Sequence, residues 1–215
     1  LTEMEIEKDK TYTAEVAATM AAAVAEGCPR LTSMKPQYLD AAALRARVRE
    51  AGAGTLKLRR SDGSFAAWGL AGALAAEGAG LTGLTLYAIK LGADGWRAVF
   101  EALRKGACPR LATLLLWNCE LGPAGGAALA AALVGGGCPA LTELRVDGNG
   151  LGDAGFGALA EALGRGACPG MATLDADTNG LTVLPEALCG VASLEELWLG
   201  YNDIGSLPHV LLHLA

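Results

Sequence analysis

The sequence predicts an α/β solenoid of about eight stacked repeats, with a parallel β-sheet on the concave face and helices on the convex face. Three observations carry that prediction. The phrase from Leu141 to Leu151 reads L-x-x-L-x-V-x-x-N-x-L, and its apolar frame returns at Leu111 and Leu81, thirty residues apart each time. Within each unit the apolar period changes from two to 3.6, the mark of a half-buried strand followed by an amphipathic helix. Glycine makes up 30 of 215 residues, nearly double the usual ~7%, so the chain must turn often.

Taken in order, the units fall near residues 1–30, 31–52, 53–80, 81–110, 111–140, 141–170, 171–193 and 194–215. The first runs from Leu1, Met4, Ile6 and Asp9 through an Ala-rich helical run to Gly27-Cys28-Pro29. The second begins at Leu31, and its helix is predicted over 40–50, with Asp40 suited to the N-cap. Leu56 and Leu58 are the strand residues of the third unit, whose helix follows Ser64 and carries Phe65 and Trp68 on one face. In the fourth, Trp96, Val99, Phe100 and Leu103 are spaced i, i+3, i+4, i+7, and Phe156, Leu159, Ala160 and Leu163 repeat that face two units later. The seventh and eighth shorten, through Leu181-x-x-Leu184-Pro185 and then Leu194, Trp198, Asn202 and Ile204. No linker separates the units, so the chain is one domain. Stacking buries a continuous core that no single unit could form.

The phrase Leu-Gly-x-x-Gly-x-x-Ala-Leu-Ala-x-Ala-Leu, closing on Cys-Pro-x-Leu, resembles the ribonuclease-inhibitor-like class of leucine-rich repeats. That class includes the ribonuclease inhibitor, the Ran GTPase-activating protein and the sensor arms of NOD-like receptors. The likeness covers units one to six. The Leu-x-x-Leu-Pro of the last two is similar to the shorter typical class. The resemblance implies a horseshoe, with strands inside and helices outside, and does not identify a member.

Asn149, Asn179 and Asn202 fill the position where a side-chain amide bonds backbone between turns, and Cys119 is an accepted substitute. Asp9, Leu39, Ser61 and Ile89 stand there in earlier units, and Leu39 and Ile89 cannot bond, so either the first half is less regular or the register of the second unit is shifted by one residue. Leu1 and Ala215 both fall inside repeat phrases without an evident polar cap. A fragment of a longer array, or end-to-end self-association, is therefore expected.

Several chemistries are disfavoured. With 17 basic and 23 acidic residues, the net charge of −6 argues against general nucleic-acid or anionic-membrane binding. The chain opens in repeat sequence, not a signal peptide, and no apolar run reaches the ~18 residues of a spanning helix. Six cysteines follow the repeat instead of a disulfide framework, which points to a reduced cytoplasmic (intracellular) compartment. Cys108, Cys138 and Cys168 form a column in one register, unlike the C-x-x-C spacing of zinc sites, although an adjacent-turn disulfide stays open. Gly150, Gly152 and Gly155 spell G-x-G-x-x-G, but its later glycines recur as Gly92/Gly95 and Gly122/Gly125, so they belong to the repeat turn. His209 and His213 are four apart, with no acid between them and no third ligand. With only two histidines, both near residue 215, a catalytic triad lacks material. No catalytic residue, metal site or cofactor is expected.

The functional signal lies between the strand leucines, on the face turned away from the core. Tyr38, Lys57, Arg59, Arg60, Tyr87, Leu115, Trp117, Arg145, Asp147, Asp175, Asp177, Trp198 and Tyr201 are expected there. Three of the four tyrosines and two of the four tryptophans fall on this face, and interface hot spots are rich in Trp, Tyr and Arg. The face is banded: basic at Lys35, Lys57, Arg59 and Arg60, apolar at Tyr87, Leu115 and Trp117, acidic at Asp147, Asp175 and Asp177. The leading expectation is a non-enzymatic scaffold binding a protein or peptide on this concave face. The alternative is a regulatory module of an enzyme-linked system, such as a GTPase-activating protein or a receptor's sensing arm. A weaker third uses Lys57, Arg59 and Arg60 to hold phosphate or nucleic acid, and such binding must weaken with salt.

Overall fold

The computed structural model describes residues 41–60 and 67–206. The expectations placed on Asp9, Cys28, Lys35, Tyr38, Leu39, Asp40, Ser61, Phe65, the Trp68 side chain, His209 and His213 lie outside them.

Strands and helices alternate along the chain: helix α1 (Ala41–Ala51), strand β1 (Thr55–Arg59), helix α2 (Ala67–Glu77), a 3₁₀ turn (Gly78–Gly80), strand β2 (Gly83–Tyr87), helix α3 (Gly92–Arg104), strand β3 (Thr113–Trp117), helix α4 (Gly122–Val134), strand β4 (Glu143–Arg145), helix α5 (Gly152–Gly164), strand β5 (Thr173–Asp175), a second 3₁₀ turn (Glu186–Gly190) and strand β6 (Glu196–Trp198). The six strands form one parallel sheet in sequence order. Registry is maintained across it, since Lys57 pairs with Thr85, Thr85 with Leu115, Leu115 with Arg145, Arg145 with Asp175 and Asp175 with Trp198.

Alternation in the strands settles which face is covered. Leu56, Leu58, Leu84, Leu86, Leu114, Leu116, Leu144, Val146 and Leu174 are buried, and they join the helix residues Trp96, Val99, Phe100, Leu103, Phe156, Leu159, Ala160 and Leu163 in a single core. The helical faces marked by period 3.6 are therefore the buried faces. Trp96 stacks on Phe100 with centroids 5.5 Å apart, and its indole N–H donates to the Cys119 carbonyl at 3.2 Å, so its one polar atom is satisfied inside the core. The other side of the sheet has no helix over it among the described residues. Parallel sheets ordinarily have both faces covered, which makes this open face the feature to explain.

Asparagine side chains stitch the turns together. Asn149 donates to the carbonyls of Leu116 at 2.5 Å and Val146 at 2.8 Å, and its amide oxygen accepts from the Cys119 N–H at 2.9 Å. Asn179 repeats this one unit on, donating to Val146 and Asp177 and accepting from the N–H groups of Asn149 and Leu151. Asn202 takes the same position against Ala176, Leu199, Asn179 and Leu181. Cys119 substitutes with its thiol, 3.3 Å from the Leu86 carbonyl. Ile89 makes no such bond with its side chain and is simply buried.

The expected irregularity of the first half is not found in the described part of it. β1, β2 and β3 are five-residue strands in unbroken register, longer than the three residues each of β4, β5 and β6. The reason is that leucine burial sets the strand pairing, while the asparagines act just beyond it, where Val146 and Ala176 still donate to the next unit.

Glycine is used for close approach between helices. A Cβ on Gly126 would sit 2.9 Å from the Gly155 Cα and carbonyl oxygen, so α4 and α5 meet backbone to backbone. Gly157, in the same helix as Gly155, has nothing within 4 Å of where its Cβ would be. The two positions predict opposite outcomes. Gly157→Ala is expected to raise stability by about 1 kcal/mol through helix propensity. Gly126→Ala gains the same term but forces the helices apart, an overpacking cost of about 1–3 kcal/mol, so its net effect is a loss. Urea midpoints of the two variants check the pair; equal shifts would contradict the packing described.

Candidate functional site: the open face of the sheet

The open face is built from the strand residues that alternate with the buried leucines. At one end β1 presents Lys57 and Arg59, followed directly by Arg60, all exposed. Arg59 registers with Tyr87, and Tyr87 with Trp117, so a guanidinium and two aromatic rings line up across three strands. Tyr87 is 45% exposed, and its ring meets Trp117 edge to face, with centroids 6.4 Å apart at 85°. Lys57, Arg59, Thr85, Tyr87 and Trp117 enclose an open cleft of about 290 Å³. Alternation puts Thr85 on this face, but nothing in the sequence marks it as a wall of the cleft. Leu115 lies in the next row, half-buried between Thr85 and Arg145.

The middle of the face is organised by Arg145. Its Nε donates to Glu143 Oε1 at 2.6 Å, and its guanidinium carbon lies 4.6 Å from the centre of the Trp198 ring. Since Trp198 is two strands away, the side chain reaches across β5, where Asp175 is only 5% exposed. Asp175 therefore does not present an open carboxylate as expected. Its Oδ1 accepts from the Asp177 N–H at 3.1 Å, and burial pushes its pKa above the usual value. Alternation puts Glu143 on this face, and its spacing of two from Arg145 is what lets the two side chains pair.

Asp147 has the most perturbed carboxyl on this face. Its Oδ1 is buried without a hydrogen-bond partner. Burial, reinforced by the charge of Asp175, pushes its pKa up to about 6. The folded state thus holds a proton on Asp147 more tightly than the unfolded chain, with its ordinary aspartate value near 4. Stability should fall as pH rises through that window toward 6 and stay lower above it. Asp147→Asn should flatten this dependence; urea midpoints measured from pH 4 to 8 test it, and an unchanged slope would count against the assignment.

Asp177 is half-buried, with Oδ1 accepting from the Gly200 N–H at 2.5 Å. Beyond it, Trp198 is 42% exposed and Tyr201 is 90% exposed. Tyr201 also adopts φ 54°, the left-handed region, as do Ala88, Asn118 and Thr178 at the equivalent rim position. A bulky aromatic residue held in that conformation and open to solvent costs stability and packs against little.

The other candidate chemistries have structural explanations. Gly150 and Gly152 take positive φ in the turn, and Gly155 has no room for a Cβ beside Pro123. Gly122 and Gly152 instead donate to the carbonyls of Asn149 and Asn179, so this turn serves the stitching between units. Cys108, Cys138 and Cys168 are buried free thiols, with the Cys168 thiol directed at the Cys138 carbonyl at 3.7 Å. Burial pushes the Cys108 and Cys138 thiols up to about 12 and Cys168 up to about 11, leaving them protonated and inert. Among the described residues no three His, Cys, Asp or Glu side chains gather as a metal site, and no helix is long and apolar enough to cross a membrane.

Residues 137–160 match the sequence model of the Leucine Rich repeat family. That match, together with the alternation of helix and parallel strand, supports a leucine-rich repeat protein, and the six-stranded parallel sheet fits a solenoid of such repeats. Domains of this kind generally mediate protein–protein interaction and are typically non-enzymatic scaffolds. No curated protein matches the chain.

Proposed function

We propose that this chain is a non-enzymatic recognition scaffold that binds a protein or peptide along a concave, strand-lined face. On this reading the whole chain is one horseshoe of about eight repeats, mostly of the ribonuclease-inhibitor-like class. Its binding residues are Lys57, Arg59, Arg60, Tyr87, Leu115, Trp117, Arg145, Asp147, Asp177, Trp198 and Tyr201. Tyr38, outside the described residues, joins them from the second repeat, and Asp175 contributes as a support under Arg145. The buried, unreactive thiols of the repeat suit a reducing, intracellular setting.

One observation carries the reading. Tyr201 is 90% exposed in a left-handed conformation, on the same open face as the part-exposed Tyr87–Trp117 and Trp198 rings. Aromatic area that is displayed and unused by the core is what an interface hot spot requires. The test uses a partner captured on the wild-type chain and then measured in isolation. Tyr201→Ala and Tyr87→Ala should each weaken its affinity about tenfold while leaving the thermal midpoint nearly unchanged. Unaltered affinity in both variants would reject the face.

A further inference from the structure

Among the described residues the open face is basic at β1 and acidic past its middle, and the cleft beside the basic stretch is aromatic. At the β1 end stand Lys57, Arg59 and Arg60, and Lys57 makes no ion pair with any described residue. Toward the other end, past β4 and β5, stand Asp147 and Asp177 beside the buried Asp175. Arg145 favours the charged forms of Asp147 and Asp175, but it offsets that acidity only in part. Its guanidinium is engaged by Glu143 at 2.6 Å and by the Trp198 ring. Between the two ends Tyr87 and Trp117 line the cleft of about 290 Å³.

We infer that the occupant of this face is an extended, bipolar peptide segment lying across the strands. Its acidic end sits over Lys57 and Arg59, an apolar side chain enters the cleft against Tyr87 and Trp117, and its basic end sits over Asp147 and Asp177. The inference rests on the reading of this face as the partner surface and adds the chemistry of the partner. Spacing follows from the sheet. Strands lie about 4.8 Å apart, so β1 to β4 is about 14 Å and β1 to β5 about 19 Å. An extended peptide advances about 3.3 Å per residue, so acid and base should be separated by roughly four to six residues, with the apolar residue between them. A uniformly acidic segment would meet the aspartates and a uniformly basic one the Lys57 end, and like charges across an interface are repelled. Both ends depend on charge, so binding should weaken as salt rises.

A displayed random library of about 12-residue peptides, long enough to cross the face when extended, tests this on the full chain. Sequences are selected on the wild type and depleted against Trp117→Ala, with Tyr87→Ala as a second depletion should the first variant fold poorly. The expected winners carry an acid and a base four to six residues apart around an apolar residue, in either chain direction. Neutralising either end of a winner, or introducing Lys57→Glu, should weaken binding about tenfold. Winners that still require Trp117 or Tyr87 but lack the charge pattern would overturn the bipolar inference and leave the face standing. Winners indifferent to both aromatic residues would overturn the face and this inference together. A library that yields no binder would overturn the inference as well.

Discussion

Asn179→Leu is expected to lower stability by about 3 kcal/mol, the largest effect of any single polar substitution described, because it strands several buried backbone groups at once. The Asn179 amide donates to the carbonyls of Val146 and Asp177 at 2.9 Å each, and its oxygen accepts from the N–H groups of Asn149 and Leu151. Leucine has the same branched skeleton with bulkier tips, so no cavity complicates the result. What it cannot do is bond, and each buried donor left unpaired costs about 1–3 kcal/mol. Stability in a solenoid is set by neighbour contacts, so the damage should concentrate in the two units that Asn179 joins. Denaturant midpoints give the loss, and hydrogen exchange should show faster exchange at Asn149 and Leu151 than at Leu84 and Leu86. A loss under about 1 kcal/mol would mean that leucine burial alone holds the turns together.

Trp117→Ala is expected to cost a bound partner about 2 kcal/mol or more, roughly thirtyfold in affinity. Trp117 is half-buried at the end of β3, where it forms one wall of the cleft and braces Tyr87 edge to face. Truncation removes its own contact area and also releases the Tyr87 ring. Core leucines on either side of β3 are untouched, and the Trp117 carbonyl keeps its bond from the Ala88 N–H because that contact is backbone. Calorimetry of the partner with wild type and variant measures the affinity change. A loss of binding accompanied by a collapse of the thermal midpoint would assign Trp117 to folding instead.

Much of this was readable from spacing. Period-two burial placed Leu56, Leu58, Leu84 and Leu86 in the core, and period 3.6 placed Trp96, Phe100, Phe156 and Leu163 there, because both patterns follow from backbone geometry alone. The ladder residues Asn149, Asn179 and Asn202 were equally legible, since an amide donates twice and accepts as well, which the bonds between turns use. Less visible was anything that depends on how far a long side chain reaches. Arg145 spans two strands to Trp198 and leaves Asp175 almost fully buried beneath it, whereas alternation alone gives every face residue the same exposure. The orphaned oxygen of Asp147 likewise depends on the carboxylates of the next unit, beyond a reading that takes each repeat by itself.

The account stands most directly on where a partner touches the chain, and site-specific photo-crosslinking measures that. A photoreactive phenylalanine analogue is placed at Tyr87 or Tyr201 on the open face, and at Arg97, exposed on α3, on the helical side. The account predicts covalent capture of the partner from positions 87 and 201 and none from position 97. Capture from position 97, with silence at 87 and 201, would contradict it and move the binding surface to the helices.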